Sequence, residues 1–209
     1  MAILSKGILG PGSGKVGNLV MFSRYGVNIL RTVPKRKPKK TPGRLAQRQK
    51  MGLVHEFLRP AKIIIHKTFK NEVPTRSPYQ AAQSYHLKHA IAGEYPNQYI
   101  DMQKALVSHG DIPLPENISF SVSDEGIHLS WDPYFDSPKA ANSDSLVFMW
   151  RYRQSYMVDH MPVGVRRATG EFLWNKFTTD NISDYTIWIA FRNWRETEYS
   201  NSFCLQIAQ

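Results

Sequence analysis

Short apolar runs broken by glycine come first along the 209-residue chain, helix-like spacing follows, and a long series of alternating segments closes it. Leu19-Val20-Met21-Phe22 and Val27-Asn28-Ile29-Leu30 flank Arg24-Tyr25-Gly26, a pattern that predicts a β-hairpin. Thr41-Pro42 combines an N-cap residue with proline at the first helical position, and helix formers continue to Pro60. On that helix Ala46, Leu53 and Phe57 fall within about 40° of one another, and Arg44, Arg48, His55 and Arg59 gather opposite, with Lys50 close to the apolar side. Ile63-Ile64-Ile65 opens another apolar segment that periodicity leaves open between helix and strand. Ser77-Pro78 repeats the start signal and predicts a helix to Ala92 before Gly93, and a third short helix is expected over Tyr99 to Ser108.

The prolines and turn residues of Asp111 to Asn117 mark a linker. Beyond it the period changes to two. Ile118–Val122, Ile127–Trp131, Leu146–Trp150, Val163–Val165, Phe172–Trp174, Tyr185–Phe191 and Phe203–Ile207 read as short strands separated by turns, the signature of a β-sandwich. The expected class is therefore α+β: a hairpin, a strap and two or three helices over residues 1–110, a linker over 111–117, and an Ig- or fibronectin-like antiparallel β-sandwich over 118–209.

Charge divides the chain the same way. The first 76 residues hold 17 Lys or Arg against two acids, and the remainder holds ten against 15. Pro34-Lys35-Arg36-Lys37-Pro38-Lys39-Lys40 reads as an extended basic strap, because its prolines exclude regular structure and its cations repel one another. Such an asymmetry points to a polyanionic partner. The first expectation is a non-enzymatic protein that binds nucleic acid, RNA or DNA, with Arg31, Lys35, Arg36, Lys37, Lys39, Lys40, Arg44, Arg48, His55 and Arg59 on phosphates and Tyr25 as a stacking surface. The second is a structural subunit of a filament or virion-like assembly, whose N-terminal arm docks on an acidic protein surface or on further copies of the chain. A cytoplasmic location away from membranes is expected, since no stretch nears the roughly 20 apolar residues of a span and no signal-like segment develops after Met1.

No catalytic or cofactor motif competes with this reading. Gly10-Pro11-Gly12-Ser13-Gly14-Lys15 lacks the phosphate-loop spacing, with Leu9 and Val16 where Gly and Ser or Thr are needed. His86 and His89 share a helix face without a third ligand, and a metal site needs three or four. Asp124-Glu125 and Glu196-Thr197-Glu198 fall in turns. Cys204 reads as a small buried hydrophobe. No cofactor or metal is expected.

Two resemblances add to the residues. Leu129-Ser130-Trp131-Asp132-Pro133 and Tyr185-Thr-Ile-Trp-Ile-Ala-Phe191 resemble the second and penultimate strands of fibronectin type III domains, which implies the sandwich and no particular partner. Gly14-Lys15-Val16-Gly17, Gly26, Arg31, the basic proline-containing stretch and Thr41-Pro42 leading to Gln47-Arg48 resemble an uncharacterised bacterial family of unknown function, with Arg44 where glutamine is expected.

Overall fold

The computed structural model describes residues 2–4, 12–33, 39–70, 75–123, 125–152, 155, 158–175 and 184–205. Its class is α+β, with three α-helices and several antiparallel sheets among those residues. The expected hairpin is present as β3 (Leu19–Arg24) and β4 (Val27–Thr32). Tyr25 and Gly26 connect them with φ of 51° and 75°, the two positive angles that a right-twisted two-residue turn demands. The sheet is wider than the hairpin. β1 (Ala2–Leu4) pairs with β4, and β2 (Gly14–Val16) pairs with β3, giving the order β1-β4-β3-β2. Residues 34–38 of the basic strap, with Lys35, Arg36 and Lys37, lie outside the described residues.

Helix α1 (Pro42–Leu58) starts where expected, with Pro42 in its first turn, although the Thr41 side chain makes no capping hydrogen bond. Its buried residues are Val54, Phe57 and Leu58; Ala46 and Leu53, expected at the core, are only half-buried. The undecided isoleucine run is helix α2 (Lys62–Thr68), which buries Ile64 and Ile65. Helix α3 (Pro78–His89) opens with a capping box: the Ser77 hydroxyl accepts from the Gln80 amide, and the Gln80 side chain accepts from the Ser77 amide. It ends at His89 rather than Ala92, because Ile91–Ala92 forms strand β5 with β6 (Tyr99–Ile100).

The third helix expected over Tyr99 to Ser108 is a correction. After β6 the chain turns at Asp101 and runs on through Ala105–Ser108, all buried. The amide of Leu106 donates to His86 Nε2, and those of Val107 and Ser108 donate to the Ser202 hydroxyl. Backbone donors satisfied by side chains so far away in sequence have no need of a helical ladder. The three helices thus lie at 42–58, 62–68 and 78–89.

A strand forms at each expected position of the C-terminal half, the last as far as Leu205; Gln206 and Ile207 lie outside the described residues. β7 (Ser119–Ser123), β8 (Gly126–Ser130) and β11 (Glu171–Trp174) make one antiparallel sheet in the order β11-β8-β7. β9 (Ser145–Tyr152), β10 (Asp159–Arg166), β12 (Tyr185–Arg192) and β13 (Phe203–Leu205) make the other, in the order β10-β9-β12-β13. Gly126 has φ of 136°, and a Cβ there would sit 1.9 Å from the carbonyl oxygen of Trp174, so the position admits only glycine.

Two hydrophobic clusters organise the body. Ile127, Leu129 and Trp174 from one sheet meet Phe148, Ile187, Ile189 and Phe191 from the other. On the far side of the larger sheet, Val147, Met149, Trp188 and Ala190 pack against Phe57, Leu58, Ile64 and Ile65 of the helices. The alternation along β9 and β12 feeds both clusters at once, as expected for strands covered on two faces. Residues 111–117 run against this body: Ile112 is buried in the inter-sheet core, and the Pro113 carbonyl accepts a hydrogen bond from Arg167. Among the described residues, no helix is long and apolar enough to cross a membrane.

His86 joins helix α3 to this framework. Its Nδ1–H donates to the Ala82 carbonyl at 2.7 Å and its Nε2 accepts from Leu106 at 3.1 Å, so the ring is neutral and both nitrogens are occupied. Burial pulls its pKa from 6.5 down to about 4. The unfolded chain therefore takes up a proton below pH 6.5 that the folded chain resists. Stability is full above that pH and falls until about pH 4 is passed, by about 3 kcal/mol in all. Urea titrations at pH 7 and pH 4 test this, and His86→Gln should flatten the dependence across that window.

Candidate nucleic-acid interface

Neither cluster contains a residue from before Val54. The N-terminal sheet and the first three turns of α1 lie outside both clusters, and they carry Lys15, Arg24, Arg31, Arg44 and Arg48. Register sorts the sheet into two faces. Lys15 opposes Val20, Val20 opposes Arg31, Phe22 opposes Ile29, and Arg24 opposes Val27, so these seven side chains share one face. Arg31 lies over the Phe22 ring at 5.5 Å and Arg24 over the Tyr25 ring at the same distance. Both contacts leave the cations outward, since Arg24 and Arg31 are exposed and Tyr25 is half-exposed.

This face looks towards the helices. Arg24, Val27 and Ile29 form one wall of an open groove, and Met51 of α1 with Gln80, Gln83, Ser84 and Leu87 of α3 form the other. Thr75 and Arg76 close one end, and the groove holds about 540 Å³. Arg44, Arg48, His55 and Arg59 are all exposed on α1 within about 60° of one another, a stripe about 22 Å long. Lys39 and Lys40 are exposed just before the helix, where the Lys39 carbonyl accepts from Arg44.

The sequence-predicted set is thus partly assembled. Arg31 belongs to the groove-facing side of the sheet, and Lys39, Lys40, Arg44 and Arg48 surround the start of α1. His55 and Arg59 sit at the other end of the helix, against α3: His55 Nε2 accepts from the Gln83 amide and its ring packs on Tyr79 at 6.3 Å. Arg24, Gln80 and Gln83 were absent from that set. Only the register of β3 against β4 and the approach of α3 bring them together, and a linear pattern carries neither.

Among the described residues, no carboxylate lies within ion-pair distance of Lys15, Arg24, Arg31, Lys39, Lys40, Arg44, Arg48 or Arg59. The acids of the C-terminal half pair instead within the body, as in Arg192–Glu196 at 2.8 Å, Lys139–Asp111 at 3.6 Å and Arg167–Asp144 at 3.6 Å.

The other motifs resolve as structure. His89 stacks on Tyr85 with ring centroids 4.9 Å apart, and its neighbour His86 has no free nitrogen to offer a metal. Glu196, at a φ of 58°, and Glu198 lie in a turn organised by Asn193, whose amide oxygen accepts from the Thr197 and Glu198 amides. Burial raises the Cys204 thiol to about 11, so thiol reagents should label it slowly until the chain unfolds; rapid stoichiometric labelling of the folded protein contradicts that placement.

A profile described as a family of unknown function (DUF6266) matches residues 11–202. No curated protein and no solved structure matches the chain.

Proposed function

As the chain belongs to the DUF6266 family, whose function is unknown, we propose a function from its geometry: a non-enzymatic protein that binds nucleic acid through its N-terminal layer. The observation that carries the reading is the set of exposed cations that meet no carboxylate among the described residues, from Arg24 and Arg31 on the sheet to Arg44 and Arg48 on α1 and Arg59 at its C-cap. Guanidinium and ammonium groups spread along about 20 Å of surface match successive phosphates and gain affinity by releasing counterions. The strap cations Lys35, Arg36 and Lys37 extend the same run in sequence. The C-terminal half serves as the rigid support, and its three-stranded sheet facing a four-stranded one supports reading it as a fibronectin type III-like sandwich.

Titration of a labelled oligonucleotide over a range of salt tests the proposal. Affinity should fall linearly on logarithmic axes, by about 0.7 to 0.9 per phosphate contact. A slope near zero, or no binding at low salt, rejects it.

A second reading has its own observation. The opposite face of the N-terminal sheet leaves Leu19 38% and Val16 69% exposed, and among the described residues both outer strands, β1 and β2, present unpaired edges. An unpaired strand edge beside an exposed apolar face is a template for a neighbouring chain. Under this reading the protein is a subunit of a larger assembly. Mass measurement after nuclease treatment and a high-salt wash separates the two: a persistent oligomer supports assembly, and a monomer supports nucleic acid.

A further inference from the structure

Resting on the nucleic-acid reading, we infer that the groove between the N-terminal sheet and helices α1 and α3 accepts unstacked bases, which makes the protein selective for single-stranded over duplex nucleic acid. The groove differs in kind from the cationic rim. Its lining combines the apolar side chains of Val27, Ile29, Met51 and Leu87 with the polar ones of Gln80, Gln83 and Arg24. A surface built only for duplex phosphates has no use for a recessed, partly apolar lining, because the bases of a duplex stay stacked inside it. A single strand offers both parts of the match: phosphates for the rim, and base faces and edges for the lining and its amides.

The hairpin tip adds a stacking element beside that groove. Tyr25 is 50% exposed, and its left-handed backbone, at a φ of 51°, holds the ring at the end of the β3–β4 turn. Arg24 is shared, lying over the Tyr25 ring and lining the groove. One strand can therefore lay a base on Tyr25 and the next ones into the groove, with its backbone along Arg44 and Arg48. At about 540 Å³ the space is in the range of small-ligand sites, and its openness to solvent lets a chain pass through. Charge complementarity selects the occupant: among the described residues, no carboxylate lies within ion-pair distance of Arg24 in the groove lining, of Arg31 on the same sheet face, or of Arg44 and Arg48 on α1, which suits a polyanion.

The test compares a labelled single strand, the duplex of the same sequence and polyglutamate, each titrated against the full chain and two variants. Tyr25→Asn keeps a residue that tolerates the left-handed turn and removes the ring. Ser84→Trp places an indole in the groove from α3. The single strand should bind at least about tenfold tighter than the duplex, and each variant should lose about tenfold for the single strand with an unchanged salt slope. Circular dichroism establishes that both variants fold, and Tyr25→Asn remains decisive if Ser84→Trp does not. Equal affinity for single strand and duplex, indifferent to both variants, overturns this inference and leaves the proposed function standing. Polyglutamate binding as tightly as the single strand overturns it in favour of an acidic protein partner. Binding of neither nucleic acid overturns the proposed function with it.

Discussion

Reversing Arg44 and Arg48 to glutamate should weaken oligonucleotide binding on the order of a hundredfold at physiological salt, with no loss of folding. The two side chains are one helical turn apart on the exposed side of α1, and neither meets a carboxylate among the described residues. Among the described residues, their one side-chain hydrogen bond runs from Arg44 to the Lys39 carbonyl. Their removal takes away two phosphate contacts and sets two repelling charges in their place. The salt slope should shrink by at least about 1.4 for a single strand, at 0.7 per contact. Wild-type affinity with an unchanged slope places the binding surface elsewhere. The paired lysine substitutions keep the charge and should retain most of the affinity, which separates a backbone contact from a bidentate, geometry-bound one.

The largest stability effect is expected at Asp144→Ala. Arg167 is fully buried, with its guanidinium 4.8 Å from the Phe191 ring, and Asp144, 2% exposed, supplies its only carboxylate among the described residues. Asp144 itself is held by the Ala141 amide, which donates to Oδ2 at 2.9 Å. Burial raises the pKa of Asp144 and lowers that of Arg167, the mark of two charges removed from water together. Truncating the acid leaves the guanidinium buried with the Pro113 carbonyl as its hydrogen-bonding partner, at a cost of about 3–5 kcal/mol. Replacing both, as Asp144→Ala with Arg167→Met, should recover a large part of that loss. Chemical denaturation of the single and double variants measures it, and an Asp144→Ala protein within 1 kcal/mol of wild type, by the usual error of such data, would mean that solvent reaches the pair.

Where alternation or a start signal was local, the fold was legible in the sequence. The strands from Ser119 to Leu205 follow their period-two pattern, and Ser77-Pro78 marks α3 because its capping box is built from neighbours. Distance hid the rest. Gly14–Val16 and Ala2–Leu4 are three-residue strands that exist only through pairing with the hairpin, and their glycine-rich surroundings give no alternation to read. Residues 106–108 look helical by composition, yet their amides are claimed by His86, about 20 residues earlier in the chain, and by Ser202 from the last strand's approach. The isoleucine run was ambiguous for another reason: three consecutive apolar residues fit either period.

The same division holds at the candidate interface. Its cations could be counted in the sequence, as could their separation from the acids. The groove could not, since it needs the β3–β4 register to turn Arg24, Val27 and Ile29 one way and α3 to bring Gln83 and Leu87 opposite them. Charge is a property of composition; a concave surface is a property of packing.

Photocrosslinking of the full chain to a single-stranded oligonucleotide, with the adducts mapped by mass spectrometry, tests most directly whether the N-terminal layer is the working surface. Crosslinks should concentrate between Lys15 and Arg59 and at Leu87 and its neighbours on α3, with Tyr25 among the strongest. Adducts confined to the paired sheets between Ser119 and Leu205, with the N-terminal layer unlabelled, would contradict the account.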